Sequence, residues 1–281
     1  MLPGASKAWT GAVPCSRPEP VPLDYLHHLR TDSARFLDVL RQAPGDARVP
    51  SCPDWDADDL LWHLAGVQWF WGTVVAERLQ AVDDLEEPPR PDSRDGLVSF
   101  FEEQSERLHR ELEAADPAER VYMWAADKSV GFIRRRQAHE ALIHRLDAEL
   151  ATGEVTALHA ELASDGVLEA LDVMFGGCPP WGTFTPSGEQ VLVRVTDTGL
   201  DVPVSLGRFT GTDPDDGTTY DEEDISVSPA DGSVVAAGTL SGTADDLDAW
   251  LWHRRDDSRL VVEGDRAVLD RFLAVLKQPI D

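Results

Sequence analysis

Arg135-Arg136-Gln137-Ala138-His139-Glu140-Ala141-Leu142-Ile143-His144-Arg145-Leu146-Asp147-Ala148-Glu149 is the stretch whose reading decides the fold. It reads as helix, with Leu142, Ile143, Leu146 and Leu150 forming the apolar stripe. Glu140 and His144 are four apart, one turn above the other on one face, ~40° apart on the helical wheel. That spacing lets a carboxylate and an imidazole grip one metal ion. His139 falls near the middle of the stripe but sits ~140° from His144. The two histidines do not easily share an ion, so His139 is expected to pack or to support the pair. A carboxylate near an apolar face is costly to bury unpaired. Arg136, one turn earlier, is the alternative partner for Glu140.

A third ligand comes from another predicted helix. His63 lies among Leu60, Leu64 and Val67, on or beside the inward stripe. A lone histidine there is ordinarily a core residue. Joined to Glu140 and His144 it completes a catalytic-type set, because two His and one Glu leave a coordination position open. Imidazole suits zinc, nickel and iron alike, so the residues leave the metal open. A fourth protein ligand, such as His139 or His27, would instead indicate a structural ion.

Outward from that run, the first half reads helical. Residues 22 to 43 carry Leu26, Leu29, Ser33, Phe36, Leu37 and Leu40 at helical spacing, ending at Pro44-Gly45. A second helix opens after Asp56 as N-cap and runs to about Gln80. Its stripe is Leu60, Leu64, Val67, Trp71 and Val74. A third spans 94 to 115 and a fourth 131 to 151, stopping near Gly153. Four helices with short connections predict an antiparallel bundle. Residues 157 to 175 add a fifth helix. After Gly176 the period changes to two at Val191, Val193 and Val195. Residues 202 to 206, 233 to 240 and 259 to 263 also read as strands. Thr243-Ala244-Asp245-Asp246 resembles a capping box, and 265 to 277 a final helix. The acidic segment 210 to 224 reads as an exposed loop or hairpin tip. The fold class is α+β. Residues 1–20 form a loose tail, 21–175 a bundle domain and 181–281 a small α+β domain.

Composition narrows the functions. The chain has 281 residues and a formal net charge of -27. Such a surface repels phosphate backbones, which argues against a nucleic-acid partner. No stretch reaches the ~18 apolar residues of a membrane span, and the first residues make a poor signal peptide. Cys15, Cys52 and Cys178 are few and widely spaced, as in a reducing compartment. The expected location is the cytoplasm, as monomer or homodimer.

Three runs carry a resemblance. Val49-Pro50-Ser51-Cys52-Pro53-Asp54-Trp55 with Asp59-Leu60-Leu61-Trp62-His63-Leu64-Ala65-Gly66 resembles the first signature of mycothiol-dependent maleylpyruvate isomerase-like proteins. Arg135 to Glu149 resembles the second. Gly242 to Leu247, Leu251-Trp252-His253-Arg254 and Val262 to Asp265 resemble the third, with His253 where the family usually has Gly.

The resemblance implies a DinB-like four-helix bundle followed by a sterol-carrier-like α+β domain. It implies a divalent metal, usually zinc, on His63, Glu140 and His144, and a role in activity for Arg254, whose alternative is a surface ion pair. The implied cosubstrate is mycothiol, a low-molecular-weight thiol, acting on a small electrophile. The implied reactions are cis–trans isomerisation of maleylpyruvate or thiol transfer. A non-catalytic metal-binding module is the reading from another class. Asp147 can accept a hydrogen bond from a ligating histidine, although a helix-surface ion pair is the simpler expectation. Cys52 is expected to pack rather than react. The tryptophans of the second helix are expected to line the bundle.

Overall fold

The structure, a computed structural model, describes residues 23–228, 235–278 and 280. The expected tail, residues 1–20, lies outside them, as do Cys15 and the start of the strand expected at 233 to 240. The chain forms two units. Asp24–Met123 and Asp127–Leu158 make the first; Trp124–Ala126 and the residues from His159 onward make the second.

The first unit holds helices α1 (Tyr25–Gln42), α2 (Ala57–Glu77), α3 (Arg94–Ala114) and α4 (Val130–Thr152). Each begins where a short polar side chain satisfies backbone N–H groups of the first turn. Asp24, Asp56, Ser93 and Ser129 are those caps, and Asp56 and Asp59 form a reciprocal capping box. Gly153 ends α4 in the left-handed region at φ 79°, where glycine carries no Cβ penalty. Helix α2 packs on α3 and α1 on α4, and contacts of α2 with α4 and of α1 with α3 close the bundle. Phe36, Leu40, Leu60, Leu61, Leu64 and Phe101 fill its centre at 0–1% exposure. Each fully buried leucine or phenylalanine contributes about 1.5–3 kcal/mol. Val67, expected on the inward stripe of α2, stays half-buried.

Most of helix α4 from Arg136 to Glu149 is buried, including the charged Arg136, Arg145, Asp147 and Glu149. A buried charge demands a partner. Glu149, wholly buried, pairs with Arg145 one turn earlier and with Arg35 of α1, and accepts from the Thr156 backbone. Arg145 also pairs with Asp32 of α1 at 2.8 Å. Burial opposes the Glu149 charge, but the Thr156 amide and the two arginines outweigh it and lower its pKa.

The second unit begins with α5 (Ala160–Glu169), which runs into a π-helical stretch, Ala170–Phe175. A five-stranded mixed sheet follows, in the order β3-β2-β1-β4-β5. Its strands are β1 (Gly182–Val195), β2 (Asp201–Thr212), β3 (Thr219–Val227), β4 (Gly238–Gly242) and β5 (Val261–Gly264). β1 and β4 run parallel; the other pairs are antiparallel. Helix α6 (Ala244–Leu251) carries Thr243 as its cap, and α7 (Arg266–Val275) packs on β1, β3 and β4.

Two details extend the sequence reading. Residues 157 to 175, grouped with the bundle from sequence, contribute α5 and the π stretch, and from His159 onward they cluster with the second unit, where α5 packs on α6 and the π stretch on β3. Of the loop or hairpin tip expected at 210 to 224, the structure shows the hairpin, with its turn at residues 213 to 218. Its charges sit on a strand because arginines answer them: Arg208 pairs with Asp221 and Arg271 with Glu223.

Glu149→Ala removes the acid that two arginines share. It is expected to lower stability by about 3–5 kcal/mol, as when one partner of a buried pair is lost. Glu154→Ala, at an exposed neighbour, is expected to stay within about 0.5 kcal/mol. Urea unfolding of both variants measures the difference.

Candidate metal centre

His63 projects from α2; Glu140 and His144 project from α4. The bundle brings one donor atom from each within 4.8 Å of the others. His144 Nε2 lies 3.1 Å from Glu140 Oε1, and His63 Nε2 lies 3.6 Å from the same oxygen. The two imidazole rings stand edge to face, centroids 4.8 Å apart. Among the described residues, neither His139 nor His27 joins this group. His139 is buried at 1% exposure with its ring against Tyr25, and His27 is exposed on α1.

Neighbours fix the orientation of each donor. Arg136 donates to Glu140 Oε2, which leaves Oε1 for the two imidazoles. The sequence offered Arg136 and His144 as rival partners for Glu140; the side chain takes both, one on each oxygen. Asp147 Oδ2 accepts from His144 Nδ1 at 2.9 Å. That bond holds the proton on Nδ1 and turns Nε2 toward Glu140 and His63. Asp147 is fully buried, so the surface ion pair expected for it does not form. The reason is α4 itself, which has no solvent face at that position. Ser51 Oγ donates to Asp147 Oδ1 at 2.5 Å, and the Trp55 ring lies 4.7 Å from that of His63. Sequence reasoning missed Ser51. Its signal was its place beside Cys52 in the first signature run. Cys52 packs against the bundle core.

The charges are arranged around one acid. Burial disfavours the Glu140 carboxylate, yet Arg136 and the two histidines hold its pKa well below the usual range. Burial lowers the His63 pKa, and the proximity of His144 adds to that against the pull of Glu140. Burial opposes charge on His144 as well, but Asp147 and Glu140 outweigh it and lift its pKa to about 9. One proton is therefore held between His144 and Glu140 at neutral pH.

A tetrahedral ion with bonds of about 2.0–2.1 Å sets neighbouring donors about 3.3 Å apart. The separations of 3.1 and 3.6 Å about Glu140 Oε1 bracket that edge. Two imidazoles and a singly presented carboxylate fit a borderline divalent metal. The His63 and Glu140 side chains keep 22% and 17% exposure, so the group is reachable from outside.

Arg254 lies in the second unit, just after α6, and donates to the Trp252 carbonyl at 2.6 Å. His253, before it, adopts φ 60° and bonds through Nε2 to the Leu276 carbonyl at 2.8 Å. That conformation favours glycine, which explains the usual Gly of the signature. Histidine tolerates the left-handed region better than most residues.

Residues 26–149 match the family model of the mycothiol maleylpyruvate isomerase N-terminal domain. Two solved structures share the fold: a mycothiol-dependent maleylpyruvate isomerase and a histidine-to-alanine mutant of it. Each is 12% identical, with a TM-score of 0.53 over 86% of this chain and 93% of the other. At that identity the likeness concerns the fold. No curated protein matches the chain in sequence.

A metal on His144 Nε2 must displace the proton that Asp147 and Glu140 favour, the pKa being lifted to about 9. Metal affinity is then expected to rise about tenfold per pH unit up to pH about 9. Competition with a chromophoric chelator measures it, and His144→Gln is expected to abolish the slope. In the metal-free protein the sign reverses. The folded pKa exceeds the unfolded ~6.5, so the contribution of His144 to stability is complete below that pH and lost as pH rises through about 9.

Proposed function

We propose, from the match of residues 26–149 to the family model of the mycothiol maleylpyruvate isomerase N-terminal domain, that the chain is a metal-dependent enzyme of thiol chemistry. Its proposed reaction is mycothiol-dependent cis–trans isomerisation of maleylpyruvate or a like electrophile. The observation that carries the proposal is the meeting of three donor atoms within 4.8 Å, on two helices, beside a group that orients each.

His63, Glu140 and His144 would hold the ion. A bound divalent metal lowers the pKa of a thiol that reaches it, so that the reactive thiolate exists near neutral pH. Arg136 keeps Glu140 to a single donor oxygen. Asp147 keeps the His144 Nδ1 proton in place, so that Nε2 stays available. In the proposed reaction the thiol adds to the cis double bond, the resulting single bond rotates, and loss of the thiol restores a trans double bond. Thiol transfer shares the addition and omits the last step. We assign Arg254 a role in holding a substrate carboxylate, which a guanidinium does through paired hydrogen bonds. A structural zinc carries four protein ligands. The three-membered group among the described residues supports the enzymatic reading over a non-catalytic module. Among the described residues no helix is long and apolar enough to cross a membrane. The proposal locates the protein in the cytoplasm, where free thiols persist.

Purified protein is expected to carry about one divalent metal per chain, and His63→Ala to lose most of it. Less than ~0.2 metal per chain in the native protein, after supplementation with zinc, would remove the basis of the proposal. A panel of mycothiol, glutathione and bacillithiol then tests the reaction with maleylpyruvate and with a generic electrophile. Mycothiol is expected to support turnover. Product identity separates isomerisation from transfer, and inactivity of every pairing counts for the module. Arg254→Lys is expected to raise KM for the carboxylate substrate about tenfold or more, since a single ammonium replaces a two-pronged donor. An unchanged KM would release Arg254 from that role.

A further inference from the structure

We propose that the turn Val49–Trp55 ahead of α2 is a brace that positions both histidines of the metal group from its two ends. The inference rests on the metal reading above and deepens it. The turn is closed by its own backbone. Cys52 N donates to Val49 O, Trp55 N to Cys52 O, and Val49 N to Trp55 O, at 3.1, 2.8 and 3.2 Å. Val49 is fully buried, and Cys52 and Trp55 pack against the core cluster that includes Phe36, Leu60 and Leu64. A turn so anchored has little freedom to follow the side chains it touches.

One end reaches His144 through two hydrogen bonds. Ser51 Oγ donates to Asp147 Oδ1, and Asp147 Oδ2 accepts from His144 Nδ1. A carboxylate on α4 alone keeps a soft terminal torsion. The Ser51 bond comes from a segment 96 residues away and sets the plane of that carboxylate. The imidazole plane and tautomer follow from it. The other end reaches His63 by contact. The Trp55 ring lies against the imidazole at 4.7 Å with an interplanar angle of 41°. That limits the rotation of a side chain which is otherwise partly open to solvent. The two histidines sit on different helices, so a common brace keeps their Nε2 atoms in register when either helix shifts. Ser51, Asp147 and Trp55 are thus positioning residues rather than ligands.

The test uses the full chain with cobalt(II) as probe, because its visible spectrum reports coordination geometry. Asp147→Asn is expected to weaken cobalt affinity about 10–100-fold, and Ser51→Ala by up to about tenfold. Ser51→Thr, which keeps the hydroxyl, is expected to restore affinity and spectrum. In the Asp147→Asn background Ser51→Ala is expected to add nothing further, because it acts through that carboxylate. Trp55→Leu is expected to weaken binding independently of Ser51→Ala. Unfolding midpoints in chelator identify the variants that are folded, and Ser51→Ala, the mildest change, decides if Asp147→Asn is not. Native affinity and an unchanged spectrum in folded Ser51→Ala and Trp55→Leu would overturn the brace and leave the metal reading standing. A native chain that binds no cobalt would overturn both.

Discussion

A largely buried carboxylate between helices sets the terms for this bundle. Glu140 is charged where water is scarce, so the fold must supply countercharge at hydrogen-bond distance. It does so on two sides. Arg136 answers one oxygen, and two imidazoles converge on the other. Arg136 and His144 supply the countercharge, and His63, whose own charge burial disfavours, completes the contact. The convergence is therefore a condition of burying Glu140 as well as a feature of the site. It also accounts for the raised pKa of His144, whose charged form Asp147 and Glu140 both favour.

The same helix solves the problem twice. Along α4, Arg136 and Glu140 serve the donor group, while Arg145 and Glu149 tie the helix to Asp32 and Arg35 of α1. The second network carries no donor of the metal group. It holds α4 against α1 so that Glu140 and His144 meet α2 at a fixed height. The charged residues of one signature run thus divide by direction. Those aimed at α2 make a site, and those aimed at α1 make a joint.

Most of the bundle was legible because its helices announce their ends. Asp56 and Gly153 are local signals, readable without tertiary context. The trio His63, Glu140 and His144 was legible from a spacing of four and an inward histidine, and the resemblance reinforced it. What escaped depended on contacts far apart in sequence. Asp147 looked like a surface residue because a helical wheel assumes a wet face, and α4 has none there. Ser51 drew no reading of its own because its partner lies 96 residues on. The hairpin at 210 to 224 stayed one of two readings for a related reason. Acidic residues are depleted in strands in general, and only the structure reveals the arginines that offset them.

The remaining question about the site is why it should be open, and Gly66 bears on it. A glycine inside a helix costs about 1 kcal/mol relative to alanine. Two structural reasons commonly excuse it: a positive φ, or close approach of a neighbour. Gly66 has neither. It lies within α2, and a Cβ built there meets no atom within 4 Å. A helical side chain leans toward the turn before it, so a residue at 66 would cover the turn that carries His63. Its absence leaves that approach bare, in keeping with the partial exposure of His63 and Glu140. A buried structural ion gains nothing from such a gap, since its shell is complete without it. A site that admits a thiol and then releases it, as the proposed function requires, does. On that proposal the cost in helix stability is the cost of access.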